Sequence, residues 1–383
     1  MPLDADARDE RALWLRLTLT AGIGPIGVRR LLEAFGLPED ILAAGRTRIA
    51  AVLDAPCAAA LLAPDDERDA QIRATLQWAQ DESNHLVALA DAAYPRPLLQ
   101  IGDPPPLLYV HGAVDALSRD LLAIVGSRHA TPGGEADAHD FAAALADEGL
   151  TICSGLARGI DAAAHRGALE SRAGTVAVVG TGVDRVYPAA HRALARAIAQ
   201  RGAIVSELPL GTGVQRANFP RRNRVIAGLS LGVLVVEAAP HSGSLITARH
   251  AAEYGREVLA IPGSIHSPVA RGCHRLIREG AKLVESTEDV LMELRGQMRG
   301  HAAAAGRMQQ DRAHSAQARG RAAAPPGGPA ARAVLSAMGW DPADPDTLVA
   351  RTSLAAGDVA AALLELELAG VVTRWDDGRY MRV

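Results

Sequence analysis

The apolar positions change their spacing along the chain, and each change marks a new region. Over residues 11–80 they recur every three or four residues, in RALWLRLTLT, GVRRLLEAFG and DDERDAQIRATLQWAQ, with Gly and Pro between. That spacing predicts a small helical bundle. DAAYPRPLLQIGDPPPLLYVHG follows; its prolines disfavour regular helix and predict an extended strap along the next domain. From about residue 120, six short β-branched runs (LLAIVGS, LTICSG, TVAVVGTG, AIVSEL, LGVLVVEA and EVLAIPG) alternate with helical stretches. This is the pattern of an α/β, doubly wound parallel sheet, in which ligands bind at the carboxyl ends of the strands. Residues 296–328 are poor in large apolar side chains and read as a flexible linker. Beyond them, three helical stretches and a hairpin turned by Asp377-Gly378 predict a winged helix. The expected divisions are 1–85, 86–295, 296–328 and 329–383.

The chain has 383 residues, 49% hydrophobic and 22% charged, which suits a soluble globular protein of more than one domain. No apolar run reaches the roughly 18 residues of a membrane span, and the acidic start MPLDADARDERALW lacks an apolar signal core, so a cytoplasmic location is expected. Cys57, Cys153 and Cys273 lie far apart and form no CxxC pair, which predicts packing residues rather than a disulfide framework or a zinc site. No His/Asp/Glu cluster suggests a metal, and no cofactor is expected. The formal charge of -4 argues against indiscriminate coating of nucleic acid, yet leaves room for a local basic face.

Four strand-end loops carry candidate chemistry. In AIVGSRHATPGG, Gly126 permits a sharp turn, and Ser127 and Arg128 present a hydroxyl, backbone N–H groups and a guanidinium before a helix expected from Gly134. The loop is either an anion site or a tight turn with an exposed arginine. In SGLARGIDAAAHRGAL, Ser154, Gly155 and Gly159 form a flexible turn from which Arg158 can point out. Asp161 stands where a helix cap is wanted, and His165 reads as a packed histidine, with no carboxylate or nucleophile at a telling spacing.

QRANFPRRNRVIAGLS gathers Arg216, Phe219, Arg221, Arg222, Asn223 and Arg224 around a helix entrance, with Pro220 suited to the first helical position. Cations there oppose the helix dipole by roughly 0.3–1 kcal/mol each unless an anion is shared. Arg221 and Arg224 share a face, Arg222 projects about 100° away, and arginines that meet no ligand would pair with Glu207 or Glu237. In VEAAPHSGSLITARHAAEYG, Ser242, Gly243, Ser244 and Thr247 open a helix, either leaving N–H groups for an anion or acting as ordinary caps. No general base is paired with a nucleophile. GxxxxGK(S/T) is absent, as is GxGxxG after the first strand, which disfavours P-loop NTPases and dinucleotide enzymes. A surface for phosphates remains. The α/β region has few aromatics, so binding is expected mostly to a nucleic-acid backbone, with strong salt dependence and weak sequence preference. Phe219 is either its one stacking platform or a core plug.

Taken together, AIVGSR, SGLARGIDAAAHRGAL, GTGVDRVYP, SELPLG, FPRRNRVIAGLS, VVEAAPHSGSLITARHAAEYGREVLAIPG and GCHRLIREGAKLV closely resemble the DNA-processing protein A (DprA/Smf) family of bacteria, in order and spacing, over about residues 86–290. The resemblance implies an extended Rossmann-like domain that binds single-stranded DNA, protects it during natural transformation and helps load the RecA recombinase. It also implies a homodimer without catalysis. By motif position it implies phosphate contacts from Gly126, Ser127, Arg128, Arg158, Arg216 and the 221–224 segment, with Phe219 and Asn223 lining the pocket. Arg158 and Arg216 stand where some members have Lys, and TPGG where Tyr-Gly is common. The N-terminal helices resemble the family's sterile-alpha-motif-like (SAM-like) domain. Within them, TAGIGPIGVRRLLEAFG is similar to a helix-hairpin-helix, whose Gly-x-Gly turn beside Arg29 and Arg30 either meets a phosphate or is purely structural. The groove-facing helix of the winged helix, AAGDVAAALLELELAG, carries Asp358, Glu365 and Glu367 and no Lys or Arg, which predicts a protein-contact or regulatory module rather than duplex recognition. The rival class is an enzyme of a related fold acting on nucleotide monophosphates. A PGGxGT segment with an acidic partner would favour it; SGSLITA stands in that place, with no paired acid evident.

Overall fold

The computed structural model describes residues 10–296, 298, 328–338, 343–369, 371–374 and 378–382. The linker expected over 296–328 lies almost wholly outside them, as does Asp377 of the terminal turn. Six helices come first: α1 (Glu10–Leu19), α2 (Pro25–Phe35), α3 (Pro38–Ala43), α4 (Arg46–Val52), α5 (Ala55–Leu62) and α6 (Asp66–Trp78). Local signals set their starts. Proline occupies the first turn of α2, α3 and α5, while Asp54 and Asp65 accept the N–H groups of Cys57 at 2.7 Å and Arg68 at 3.0 Å. Trp14, Leu15, Leu17, Leu31 and Leu61 are buried in a cluster that continues into Leu86, Leu107, Tyr109 and Ile204 of the sheet. Bundle and sheet therefore share one core.

The sheet has nine strands: β1 (Asn84–Ala88), β2 (Leu107–Gly112), β3 (Leu121–Val125), β4 (Thr151–Ser154), β5 (Thr175–Val178), β6 (Ala203–Ser206), β7 (Gly232–Val235), β8 (Glu257–Ala260) and β9 (Lys282–Leu283). Their order is β1-β2-β6-β5-β4-β3-β7-β8-β9. The six β-branched runs are β3 to β8, and the pairs from β6 through to β9 are parallel. An antiparallel edge extends this array: β1 pairs with β2, and β2 runs against β6 with Tyr109 opposite Ser206. The proline-rich segment is thus not a strap throughout. It forms a one-turn helix, α7 (Arg96–Leu99), and then β2. Pro104, Pro105 and Pro106 stop just short of Leu107, so they remove no donor from the strand's ladder.

Helices α8 (Pro132–Asp147), α9 (Ile160–Ala168), α10 (Arg192–Arg201), α11 (Asn218–Leu229), α12 (Ser244–Glu253), α13 (Arg271–Arg278) and α14 (287–296) complete this unit. All five residues of β3 are buried, as a strand covered on both faces requires. Leu121, Ala123 and Val125 join the cluster of α11 and α12, while Leu122 and Ile124 join that of α8 and α9. The chain order reverses at β3, with β4 on one side and β7 on the other, which opens a crevice at their carboxyl ends.

The described residues from Gly328 onward belong to a second compact unit. It has helices α15 (Pro329–Met338), α16 (Pro345–Thr352) and α17 (Ala356–Leu368) and the antiparallel pair β10 (Val372–Arg374) and β11 (Tyr380–Arg382). Val334, Leu348, Leu363 and Leu366 form its core. Asp358, Glu365 and Glu367 of α17 are all exposed. No single helix among the described residues is long and apolar enough to cross a membrane.

Candidate phosphate-binding site

Helix α11 begins at Asn218, so Pro220 takes the third helical position rather than the first. Its missing N–H is still one of the four without an intrahelical acceptor. The arginines move into the next turn, and their environments separate. Arg222 turns into the sheet and is 5% exposed; its Nη1 donates to the carbonyls of Gly155 at 2.6 Å and Val178 at 2.5 Å, and its Nε to Asn223 Oδ1 at 3.2 Å. Gly155 makes the room: a Cβ there would stand 2.3 Å from Arg222 Nη1. Arg224, equally buried, is bound by Glu207 and by Asp103, whose Oδ2 lies 3.2 Å from its Nε. Half-exposed Arg221 has Nε 3.1 Å from Glu207 Oε1, although not in hydrogen-bond geometry. Burial pushes the Glu207 carboxyl above the ordinary range, and Arg224 and Arg221 pull against that.

Arg222 and Arg224, expected as phosphate ligands, are therefore committed to protein partners. Glu207 is the partner the sequence suggested. Glu237 is not: its carboxylate accepts the Thr131 N–H at 2.9 Å and hydroxyl at 2.7 Å, at the start of α8. That helix begins at Pro132, before Gly134, whose Cβ would come within 2.4 Å of Glu237.

The loop after β4 is organised by Asp161, whose Oδ2 accepts the N–H groups of Gly155 at 3.1 Å and Ala157 at 3.3 Å. Burial raises its pKa, opposed by the neighbouring Arg222 and these N–H groups. Ser154 is buried and donates to Ile124 O at 2.6 Å, tying β4 to β3 rather than meeting a ligand.

His165 is packed. The Thr175 hydroxyl donates to Ile152 O at 2.6 Å, so it accepts from His165 Nδ1 at 2.7 Å, leaving Nε2 bare and without a partner. Burial pushes this imidazole down to about 3. Because the folded pKa lies below the unfolded one, the unfolded chain takes up the proton first as pH falls, and stability declines below the unfolded value. Between pH 7.5 and 5, wild type is expected to lose about 2 kcal/mol more than His165→Gln, measured by denaturant titration at each pH. Equal losses would contradict a buried neutral imidazole.

At the β3/β7 crevice lies a cavity of about 440 Å³, lined by Gly126, Ser127, Arg128, Asp161, Asn223 and the 242–244 loop, with Arg222 in its wall. Buried Ser127 uses its hydroxyl to accept the His129 N–H at 3.1 Å. Asn223 Nδ2 donates to Gly243 O at 3.1 Å, which joins α11 to the entrance of α12. At that entrance the N–H groups of Ser244, Leu245 and Ile246 bond back to Ser242 Oγ, Ser242 O and Gly243 O at 3.3, 3.2 and 3.1 Å. They are not left for an anion, as one reading of the sequence had it. The Ser242 and Ser244 hydroxyls, 2.7 Å apart, line the cavity instead.

Arg128 is exposed, with its guanidinium 5.3 Å from the centroid of half-buried Phe219. On Phe219 also packs Tyr187, ring centroids 5.8 Å apart. Arg158 follows Ala157 of the cavity wall, and Arg216 precedes the helix that carries Phe219. Arg128, Arg158 and Arg216 are all exposed, and among the described residues none has a carboxylate within ion-pair distance. The six candidate arginines thus divide evenly into three engaged by protein and three facing solvent. In the Gly-x-Gly region, Arg29 donates to Glu33 at 2.8 Å and to Gly102 O at 2.9 Å, fastening the bundle to the proline-rich segment.

The family model described as DNA recombination-mediator protein A matches residues 85–295, and that of the DprA winged helix domain matches residues 318–378. Protein Smf of Synechocystis sp. is 36% identical over 396 residues, covering 98% of this chain and 100% of that protein. The DNA processing protein DprA of Streptococcus pneumoniae is 47% identical over 206 residues, 54% of this chain and 73% of the relative. An X-ray structure of DprA from Streptococcus pneumoniae superposes with a TM-score of 0.63 at 38% identity, covering 73% of this chain and 95% of that one. DprA from Helicobacter pylori, in a structure described as showing its single-stranded DNA binding mode, gives 0.51 at 28% identity over 56% of this chain and 97% of its own.

Proposed function

Since this chain belongs to the DNA recombination-mediator protein A family, we propose that the cavity between β3 and β7 grips the backbone of single-stranded DNA through Arg128, Arg158 and Arg216. The observation that carries this reading is exposed Arg128, without a carboxylate partner among the described residues, in the wall of a cavity of small residues and hydroxyls; exposed Arg158 follows Ala157 of that wall, and exposed Arg216 stands three residues before Phe219, over whose ring Arg128 lies. Each guanidinium presents a planar fork that matches two phosphate oxygens. Arg222 stays beneath them as a fixed positive charge, and Asp161 shapes the loop. Phe219, with Arg128 over its face, gives one base a stacking surface, which contributes about 1–3 kcal/mol without reading sequence. A duplex keeps its bases stacked inside and cannot use that surface.

The protein acts as a DNA-binding mediator that handles a strand for recombination, without turning it over. The only carboxylate lining the cavity among the described residues is Asp161, already engaged by backbone N–H groups; this disfavours an acid-assisted nucleotide hydrolase. We extend the reading to protection of incoming single strands, RecA loading, a homodimer and action in the cytoplasm, in line with the family resemblance. The acidic outer face of α17 suits contact with protein better than with phosphate. The test is fluorescence anisotropy with labelled oligo-dT, its duplex counterpart and a panel of nucleoside monophosphates. The reading expects tight binding of the single strand, weaker binding of the duplex and no turnover; hydrolysis of a monophosphate would replace it with the enzyme.

A further inference from the structure

A second cavity, of about 660 Å³, opens where the helical bundle meets the sheet edge, and its wall includes Trp78, His111, Arg185, Tyr187, Arg192 and Arg196. Nothing in the proposed phosphate grip uses it. Arg192 and Arg196 lie four apart on α10, so their side chains start from the same face about 6 Å apart. Both are exposed, and neither has a carboxylate partner among the described residues. The one acidic group of the wall, Asp184, accepts the Gly211 N–H at 3.0 Å and lies 4.0 Å from Arg185 Nε. His111 is occupied by Asn84, 2.7 Å from its Nδ1. The cavity is therefore cationic and has an indole in its wall.

Tyr187 connects it to the first cavity. It belongs to this wall, and its ring packs 5.8 Å from Phe219, over which Arg128 of the first cavity lies at 5.3 Å. We propose that a DNA strand held at the first site continues past Tyr187 into this second cavity, where Arg192 and Arg196 take neighbouring backbone phosphates and Trp78 offers its ring to a base. This rests on the first site being a single-strand grip. Continuity with that site and the surplus of guanidinium groups favour a nucleic-acid strand as the occupant.

The test compares full-length wild type with Arg192→Ala/Arg196→Ala on oligo-dT of about 6 nucleotides and on one longer than the ~16 nucleotides of a large single-strand site. The variant is expected to bind the long strand about tenfold more weakly, with the slope of log affinity against log salt shallower by about 1.4, and to bind the short strand as wild type does. Since Trp78 is the reporter, the difference in fluorescence between wild type and Trp78→Phe should be quenched by the long strand and not by the short one. Long-strand binding left unchanged in the variant, with the short strand still bound by both proteins, overturns this proposal alone. A wild type that binds neither strand overturns the first site's reading, and this proposal with it. Circular dichroism melts of the two proteins should coincide, because both arginines are exposed.

Discussion

Arg222→Ala is expected to destabilise the α/β unit by about 3–5 kcal/mol and to abolish DNA binding with it. The guanidinium is 5% exposed and serves two carbonyls from different strand ends, at Gly155 and Val178. Alanine leaves both carbonyls unmatched, opens a void, and takes from the buried Asp161 carboxyl the positive charge that most opposes the effect of its burial. Lysine repairs only part of the damage, because an ammonium placed at the two carbonyls that Nη1 serves leaves Asn223 Oδ1 without the donor that Nε supplies. Neutralising the buried acid should recover part of the loss, so Asp161→Asn in the Arg222→Ala background is expected to be more stable than Arg222→Ala alone. Thermal melts of the four proteins of this cycle measure it. If Arg222→Ala melted with wild type yet lost DNA binding, Arg222 would be a direct DNA contact and its buried role would be wrong.

The split among the arginines explains how far the site was legible in the sequence. Of the residues the strand-end loops pointed to, Gly126, Ser127, Arg128, Arg222, Asn223, Ser242, Gly243 and Ser244 line the cavity, whereas Ser154, Gly155, Arg158, Arg216, Phe219, Arg221 and Arg224 do not. What sequence spacing could not supply was which guanidinium faces inward. That depended on α11 starting two residues before Pro220, and on partners far along the chain: Asp103 and Glu207 for Arg224, and the Gly155 carbonyl for Arg222. The 100° offset of Arg222, aligned with Ile226 and Leu229, was the readable sign of burial, since both of those residues are in the core. Asp103 carried a sign too, standing directly before three prolines that fix its backbone. In the fold, six of the seven parallel strands were plain from their β-branched runs; the two-residue β9 was not. β2 was hidden because its Leu107–Gly112 run follows prolines, and prolines just outside a strand look the same in sequence as prolines that forbid one. At the entrance of α8 the anion is Glu237 of the protein itself, whose carboxylate accepts the Thr131 N–H and hydroxyl.

The second large effect is on binding. Arg128, Arg158 and Arg216 are exposed and, among the described residues, have no carboxylate within ion-pair distance, so replacing all three by alanine should leave the fold intact. Charged hydrogen bonds contribute about 1.5–3 kcal/mol each, so the triple variant is expected to lose roughly a hundredfold or more in affinity for oligo-dT at low salt. Arg128→Ala alone also removes the cation that lies over the Phe219 ring.

The most direct measurement is the salt dependence of that affinity: anisotropy titrations of labelled oligo-dT from about 50 to 200 mM salt, for wild type and the triple variant. Each phosphate contact on a single strand adds about 0.7 to the slope, so the variant's slope should be shallower by about 2 if these three arginines hold phosphates. Equal slopes and equal affinities would contradict the account, and the phosphate grip would then have to be sought elsewhere on the molecule.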